Sequence, residues 1–173
     1  MSNLMTHEAL DKAIAQAENY RLRVHRKARA HYLAAKNENR MHQWLGIPVV
    51  VTTTIVGTAI FATLSKDPDI YLKILTGLLS VLAGVLASLQ TFFKHAELSE
   101  KHKTAAASYA TMVRAFDLFK LRLSQNPSNA DDGIKQLGDL VQKLDRLERD
   151  SPDISDHFYD QAVREQREDK EGV

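Results

Sequence analysis

Two stretches of this 173-residue chain carry no charge: Trp44–Leu64, WLGIPVVVTTTIVGTAIFATL, and Ile74–Phe93, ILTGLLSVLAGVLASLQTFF. They are 21 and 20 residues long, in a chain of which 26% is Asp, Glu, Lys or Arg. A helix of about 20 residues rises roughly 30 Å, the thickness of a bilayer's hydrocarbon core. A surface helix of a soluble protein keeps a polar stripe toward water, and neither run supplies a charged one. The nine residues between them, SKDPDIYLK, hold Pro68 and four charges. They read as a turn at a water interface, with Trp44 and Tyr71 near the ends where amphipathic rings favour headgroups. The expectation is an all-α membrane protein, a two-span helical hairpin whose long cytosolic helices form an oligomeric bundle.

The segments follow directly. Residues 1–43 form a basic amphipathic arm, 44–64 the first span, 65–73 an external loop and 74–93 the second span. Residues 94–124 are a cytosolic helix continuing from the second span, and 125–173 are C-terminal helices with a charged tail. Arg26, Lys27, Arg29, Lys36 and Arg40 precede the first span, and Lys94, Lys101 and Lys103 follow the second. In the loop, Lys66 and Lys73 are offset by Asp67 and Asp69. The positive-inside rule then puts both termini in the cytosol. A signal peptide is not expected, because the first run begins more than forty residues into the chain.

Projected at about 100° per residue, the second span divides in two. Thr76, Gly77, Ser80, Ala83, Gly84, Ala87, Ser88, Thr91, Lys94 and His95 fall on one side. Leu75, Leu78, Leu82, Val85, Leu86, Leu89, Phe92 and Phe93 fall on the other. In lipid, bulky apolar residues face the tails, while small and hydroxyl residues let backbones approach. Ser80-x-x-x-Gly84-x-x-x-Ser88 is such a ladder. It suits tight packing against the first span or a second subunit, and it equally suits a face lining a water-filled pore. Thr76, Ser80, Gln90 and Thr91 would there offer oxygens to an ion. Thr76, Ser80, Gly84, Ala87, Ser88, Gln90, Thr91 and Lys94 are the candidate pore-lining or packing residues. The first span shows no such division: Thr52, Thr53, Thr54 and Thr58 spread around it, and Pro48 falls in its first turn, where a missing N–H costs little.

From about Thr6 to Gln43 there is neither proline nor glycine, and Leu10, Ala13, Ala17, Tyr20, Val24, Ala28 and Tyr32 make one narrow apolar stripe. After the second span, Leu98, Ala105, Tyr109, Met112, Phe116, Phe119 and Leu123 recur with a seven-residue period. That seam wants partner helices, from this chain or its copies. Tyr109, Met112, Phe116 and Phe119 are the candidate oligomer seam. SQNPSNADD breaks the chain at Pro127. A helix from about Asp131 to Arg149 follows, with Ile134, Leu137, Val141, Leu144 and Leu147 as its face. SPDIS, residues 151–155, is another break, with Ser155 placed to cap a last short helix. The terminal REQREDKEGV reads as a solvated, frayed end.

Chemistry is sparse. With no cysteine, disulfides, thiolate metal sites and a cysteine nucleophile are excluded. No glycine-rich phosphate loop, HExxH or paired-carboxylate arrangement stands out, so no enzyme, cofactor or metal is expected. A net charge of +1 gives no sign of duplex DNA binding. His95 and His102, one heptad apart, read as polar interfacial residues. The densest charge cluster is YRLRVHRKARAHY, residues 20–32. Its basic residues set topology and attract anionic headgroups, worth about 1 kcal/mol each near the surface. Alternatively, copies gathered about an axis would concentrate Arg21, Arg23, Arg26, Lys27 and Arg29 into an anion site for a nucleotide or short oligonucleotide.

The stretches FFKHAELSEKHKTAAASYATMVRAF and SPDISDHFYDQA, set in this two-span architecture, resemble the SLATT domain over almost the whole chain, with Tyr109 at the family's recurrent tyrosine. The resemblance implies a bacterial inner-membrane effector of antiphage defence, often encoded beside nucleotidyltransferases that make nucleotide signals. Such effectors are thought to form pores that depolarise the infected cell. No appended nucleotide-sensing domain is recognisable, which leaves control to the helical arms or a partner protein. The expected protein is a homo-oligomer, taken as a tetramer, that conducts ions in contact with membrane lipid. Two other classes stay open: a non-conducting anchor that docks a partner protein through its helical seams, and a membrane-surface regulator whose basic arm senses lipid charge.

Overall fold

The computed structural model describes residues 2–63, 70–125 and 130–171, and every element among them is helical. α1 spans Ser2–Thr63, α2 Ile70–Phe93, α3 His95–Gln125, α4 Ala130–Asp150 and α5 Asp156–Glu171. The expected external loop lies, apart from its end at 70–73, outside the described residues, as does the break at Pro127. The chain divides into two compact units, Met1–Ala35 with Glu100–Val173, and Lys36–Ser99.

The first unit is built on two heptad registers. On α1, Leu10, Ala17, Val24 and His31 recur every seven residues and are all buried. On α3, His102, Tyr109, Phe116 and Leu123 do the same. Residues spaced seven apart stay on one stripe only if a helix packs along a partner with a 3.5-residue period. The two helices run antiparallel: Arg21 meets Asp117 at 2.6 Å, Tyr20 stacks on Phe116 at a centroid distance of 5.9 Å, and His31 meets His102 at 2.9 Å. Leu137 and Leu144 of α4 complete the core, with Leu140, Val141 and Leu147 partly buried against it. The apolar face expected of α4 holds except at its first member, because Ile134 is exposed.

Four local expectations need correction. Pro48 does not open a separate span. It lies inside the continuous α1, where its missing N–H deprives the preceding turn of one backbone bond. The second span does not run straight into the helix after it, because Lys94 takes a left-handed backbone, φ 47°, and its carbonyl starts α3 by accepting the N–H of Leu98 at 3.1 Å. That conformation costs a non-glycine residue roughly 1–2 kcal/mol. The α1 stripe passes through His31 rather than Tyr32, which is 53% exposed, because a 3.5-residue period returns to 31 after Val24. The charged tail is not frayed over 164–171. It continues α5, held where Glu165 meets Arg29 at 2.6 Å and Gln166 Nε2 donates to the Leu22 carbonyl at 3.4 Å.

In the second unit, Glu38 meets the ring of His95 at 2.6 Å. A methyl group placed on Gly46 would lie 3.1 Å from the side-chain nitrogen of Gln90.

Candidate functional site

α2 is the part of the molecule whose surface least resembles that of a soluble helix. Counted through Lys94 as Lys73–Gln125, it contains an 18-residue window long and apolar enough to cross a membrane, and 6% of that window is buried. A core helix of a soluble protein would be mostly covered. Among the described residues this is the one helix that meets that length and composition. Leu78, Val81, Val85 and Phe92 all stand exposed, Phe92 to 79%. The uncharged end of α1 is similar, with Trp44, Ile47, Val50, Val51 and Ile55 exposed.

The small-residue ladder lies open within the protomer. Ser80, Gly84 and Ser88 are exposed, as are Gly77, Thr91 and Lys94. A methyl group added at Gly77 or Gly84 would meet nothing within 4 Å. The covered strip of α2 is narrower and sits beside the ladder: Ala83 is buried, while Thr76, Leu79, Leu86, Ala87 and Gln90 are half-buried. The hydroxyls turn inward along their own helix. Ser80 donates to the Thr76 carbonyl at 2.9 Å, Ser88 to Gly84 at 2.8 Å and Thr91 to Ala87 at 3.0 Å. Thr52, Thr53, Thr54 and Thr58 of α1 donate in the same way. Back-bonding leaves each hydroxyl oxygen its lone pairs, so these residues remain acceptors while their donors are satisfied within the helix.

The basic arm is not a field of open cations. Arg21 pairs with Asp117 at 2.6 Å and Glu18 at 3.3 Å. Arg23 reaches both oxygens of Glu148, at 3.0 and 3.1 Å, and Lys27 meets the same carboxylate at 2.8 Å. Arg29 pairs with Glu165 at 2.6 Å, which raises its own pKa and lowers that of the carboxyl. Arg26 donates to the backbone carbonyl of Leu22. One acid on each of α3, α4 and α5 is therefore clasped by α1. Sequence alone gives no sign of this, since the partners lie 96 to 136 residues away.

Of the seam residues, Tyr109, Phe116 and Phe119 are buried and Met112 is half-buried, in the core formed with α1 and α4 of the same chain. Of the two kinds of partner helix the seam admits, the chain's own covers it. Tyr109 is the hub of a polar cluster at the end of that core. Its ring stacks on His31 at 5.2 Å, Lys27 Nζ stands 5.9 Å above it, and Ser151 lines the same cavity as its side chain. Burial pushes the Tyr109 hydroxyl up from its ordinary pKa. His31 is 1% exposed, and burial, followed by the neighbouring His102 and Lys27, pushes its pKa down to about 4. With Nδ1 facing Nδ1, one imidazole donates and the other accepts. A cavity of about 250 Å³ opens beside this cluster, lined by Lys27, His31, Tyr109, Glu148, Ser151 and Tyr159. Tyr109 and the SPDIS break, far apart in sequence, thus share one site.

The histidine pair was missed as a core element. The available signal was spacing: His31 is seven residues after Val24, and His102 seven before Tyr109. Among the described residues no group of three or more His, Cys, Asp or Glu could hold a metal ion. No family model matches the chain, and no curated protein or solved structure matches it.

Proposed function

We propose that this chain is a two-span membrane effector whose copies assemble through the open small-residue face of α2 into an ion-conducting pore, in the manner of the SLATT domain it resembles. The observation that carries the reading is the exposure of α2: a long helix uncharged from Ile74 to Phe93, 6% buried over its most apolar window, beside a ladder that nothing among the described residues fills. Exposed apolar surface on this scale needs lipid or a partner. The contacts Glu38–His95 and Gly46–Gln90 suit an antiparallel pairing of the end of α1 with α2. The two spans then form a hairpin with both termini in the cytosol of a bacterial cell, in the inner membrane. The assembly is taken as a tetramer.

Control falls on the basic arm. A nucleotide or oligonucleotide signal, made by a partner nucleotidyltransferase, would compete with Asp117, Glu148 and Glu165 for the cations of α1. Each exchange would release α3, α4 or α5 from its clasp. Charge reversal at Arg21, Arg23 and Arg26 then removes the response to nucleotide.

Ion flux through liposomes carrying the purified protein, with and without added nucleotides, tests the reading. Flux that requires the protein and changes with a nucleotide supports a ligand-controlled pore. Absence of flux from protein shown to be inserted and oligomeric replaces it with the non-conducting anchor.

A further inference from the structure

The largest cavity described in the first unit, about 630 Å³, lies apart from the Tyr109 cluster and shares only Arg29 with the arm's carboxylate clasps. It is a groove between α1 and α3. Its floor is Ala28, Ala106, Ala107, Ala110 and Val113, with the half-exposed ring of Tyr32 as one wall. Its charged lining residues are Arg29, Lys103 and Arg114, with the His25 ring beside them; among the described residues no carboxylate side chain lines it. That sets it apart within a chain of 22 acidic residues, where Arg21, Arg23 and Lys27 all find carboxylates. The Arg114 guanidinium donates to the neutral hydroxyl of Thr111 at 3.1 Å. Lys103 meets Glu100 at 3.7 Å, between two exposed side chains. Arg29, though paired with Glu165, also lies 5.4 Å from the centre of the Tyr32 ring.

Apolar clefts of about 300–1,000 Å³ with a few convergent polar groups are the usual form of a small-molecule site. Here the polar groups are three cations, the His25 ring and the Tyr32 hydroxyl at the walls, and the floor between them is hydrocarbon. A nucleobase would leave its hydrogen-bonding edges against alanine and valine, at a cost of about 1–3 kcal/mol for each unpaired group. An alkyl chain has no such edges. We propose that this groove binds an anionic amphiphile, its chain on the alanine floor and its phosphate or carboxylate held by Arg29, Lys103 and Arg114. The source is either an anionic bilayer lipid or a soluble acyl phosphate or fatty acid. The inference does not depend on conduction, and its test reads binding alone.

The absence of cysteine makes a direct test possible. Ala110→Cys places a single thiol on the groove floor of the full chain, and Asp160→Cys places a control thiol on exposed α5. Both proteins are reconstituted in phosphatidylcholine nanodiscs, and alkylation by N-ethylmaleimide is timed. Dodecyl phosphate at ten times its dissociation constant is expected to slow reaction at position 110 about tenfold, by simple occupancy. Dodecyl maltoside and inorganic phosphate leave the rate unchanged, and Arg114→Glu removes the protection. Protection by phosphatidylglycerol nanodiscs without added amphiphile identifies the bilayer as the source. Protection only by the added phosphate identifies a soluble one. The proposal is overturned by equal protection from dodecyl maltoside, by protection from a mononucleotide instead, or by no protection at all. It is also overturned by protection that follows protein density without amphiphile, which would assign the groove to a second copy.

Discussion

The two units answer the same problem, an excess of apolar surface on long helices, in opposite ways. In the first, the heptad stripes of α1 and α3 close on each other and on α4, and Phe116 is fully buried. In the second, Phe92 is 79% exposed and the glycines of α2 have open space around them. The charges follow the same division. Arg21, Arg23, Lys27 and Arg29 are each matched by an acid, whereas 44–64 and 74–93 hold no charge to match. The first unit covers its apolar stripes with its own helices, while the second leaves hydrocarbon and a small-residue ladder uncovered, which is the difference the proposed pore rests on.

The sharpest way to break this comparison is Gly84→Leu. The added side chain starts into empty space, so the protomer keeps its stability and insertion. If copies approach along this face, the bulk separates them, and flux in the liposome assay is expected to fall to background. Full conductance would show that the ladder faces lipid and would move the pore elsewhere.

Next in size is a pair of phenylalanines. Phe116→Ala removes a fully buried ring and its stacking on Tyr20, and is expected to cost about 3–5 kcal/mol in chemical denaturation followed by helicity. Phe92→Ala in the same assay is expected to change stability by less than about 0.5 kcal/mol, as for an exposed substitution. Equal costs would mean that α2 is packed as a core helix.

The histidine pair gives the first unit a pH dependence. Its neighbours are Lys27 on α1 and Tyr109 and His102 on α3, with the Glu148 carboxylate of α4 close by on Lys27. The folded-state pKa of His31 lies near 4, below its ordinary 6.5. The unfolded chain therefore binds the proton more tightly. The stability this group contributes is complete above pH 6.5 and is lost as pH falls toward 4. A shift of that size corresponds to about 3 kcal/mol. Denaturation midpoints measured over this range should fall in the wild type and fall less in His31→Phe. Parallel curves would show that burial does not lower the pKa of His31 in the fold.

What the sequence disclosed was periodic or punctuated. The ends of α3 and α4 fell within a residue of expectation because Pro127 and the SPDIS break terminate helices whatever surrounds them. The seam at Tyr109, Phe116 and Phe119 was legible for the same reason. The clasps of the basic arm were not, because an arginine's partner depends on which helix lies alongside, not on its neighbours in sequence. Nor was the break at Lys94, which lacks the glycine that ordinarily marks a left-handed residue. His31 was overlooked because a polar residue on an apolar stripe is legible as core only once its partner, His102, is seen.

The smallest effects distinguish two glycines of α4. At Gly138 an added methyl meets nothing within 4 Å, so Gly138→Ala should gain the helix preference of alanine, about 0.5–1 kcal/mol. At Gly133 the methyl would sit 2.6 Å from Cδ1 of Leu123, which is 5% exposed in the core. Leu123 must then rotate against its neighbours, and overpacking of that kind costs about 1–3 kcal/mol. The propensity gain offsets part of this, leaving Gly133→Ala neutral to destabilising while Gly138→Ala stabilises. Both substitutions lie on one helix of the self-satisfied unit, so denaturation midpoints of the two variants isolate packing from propensity. If they shift together, α4 does not press on Leu123, and the first unit is less tightly closed than its contacts indicate.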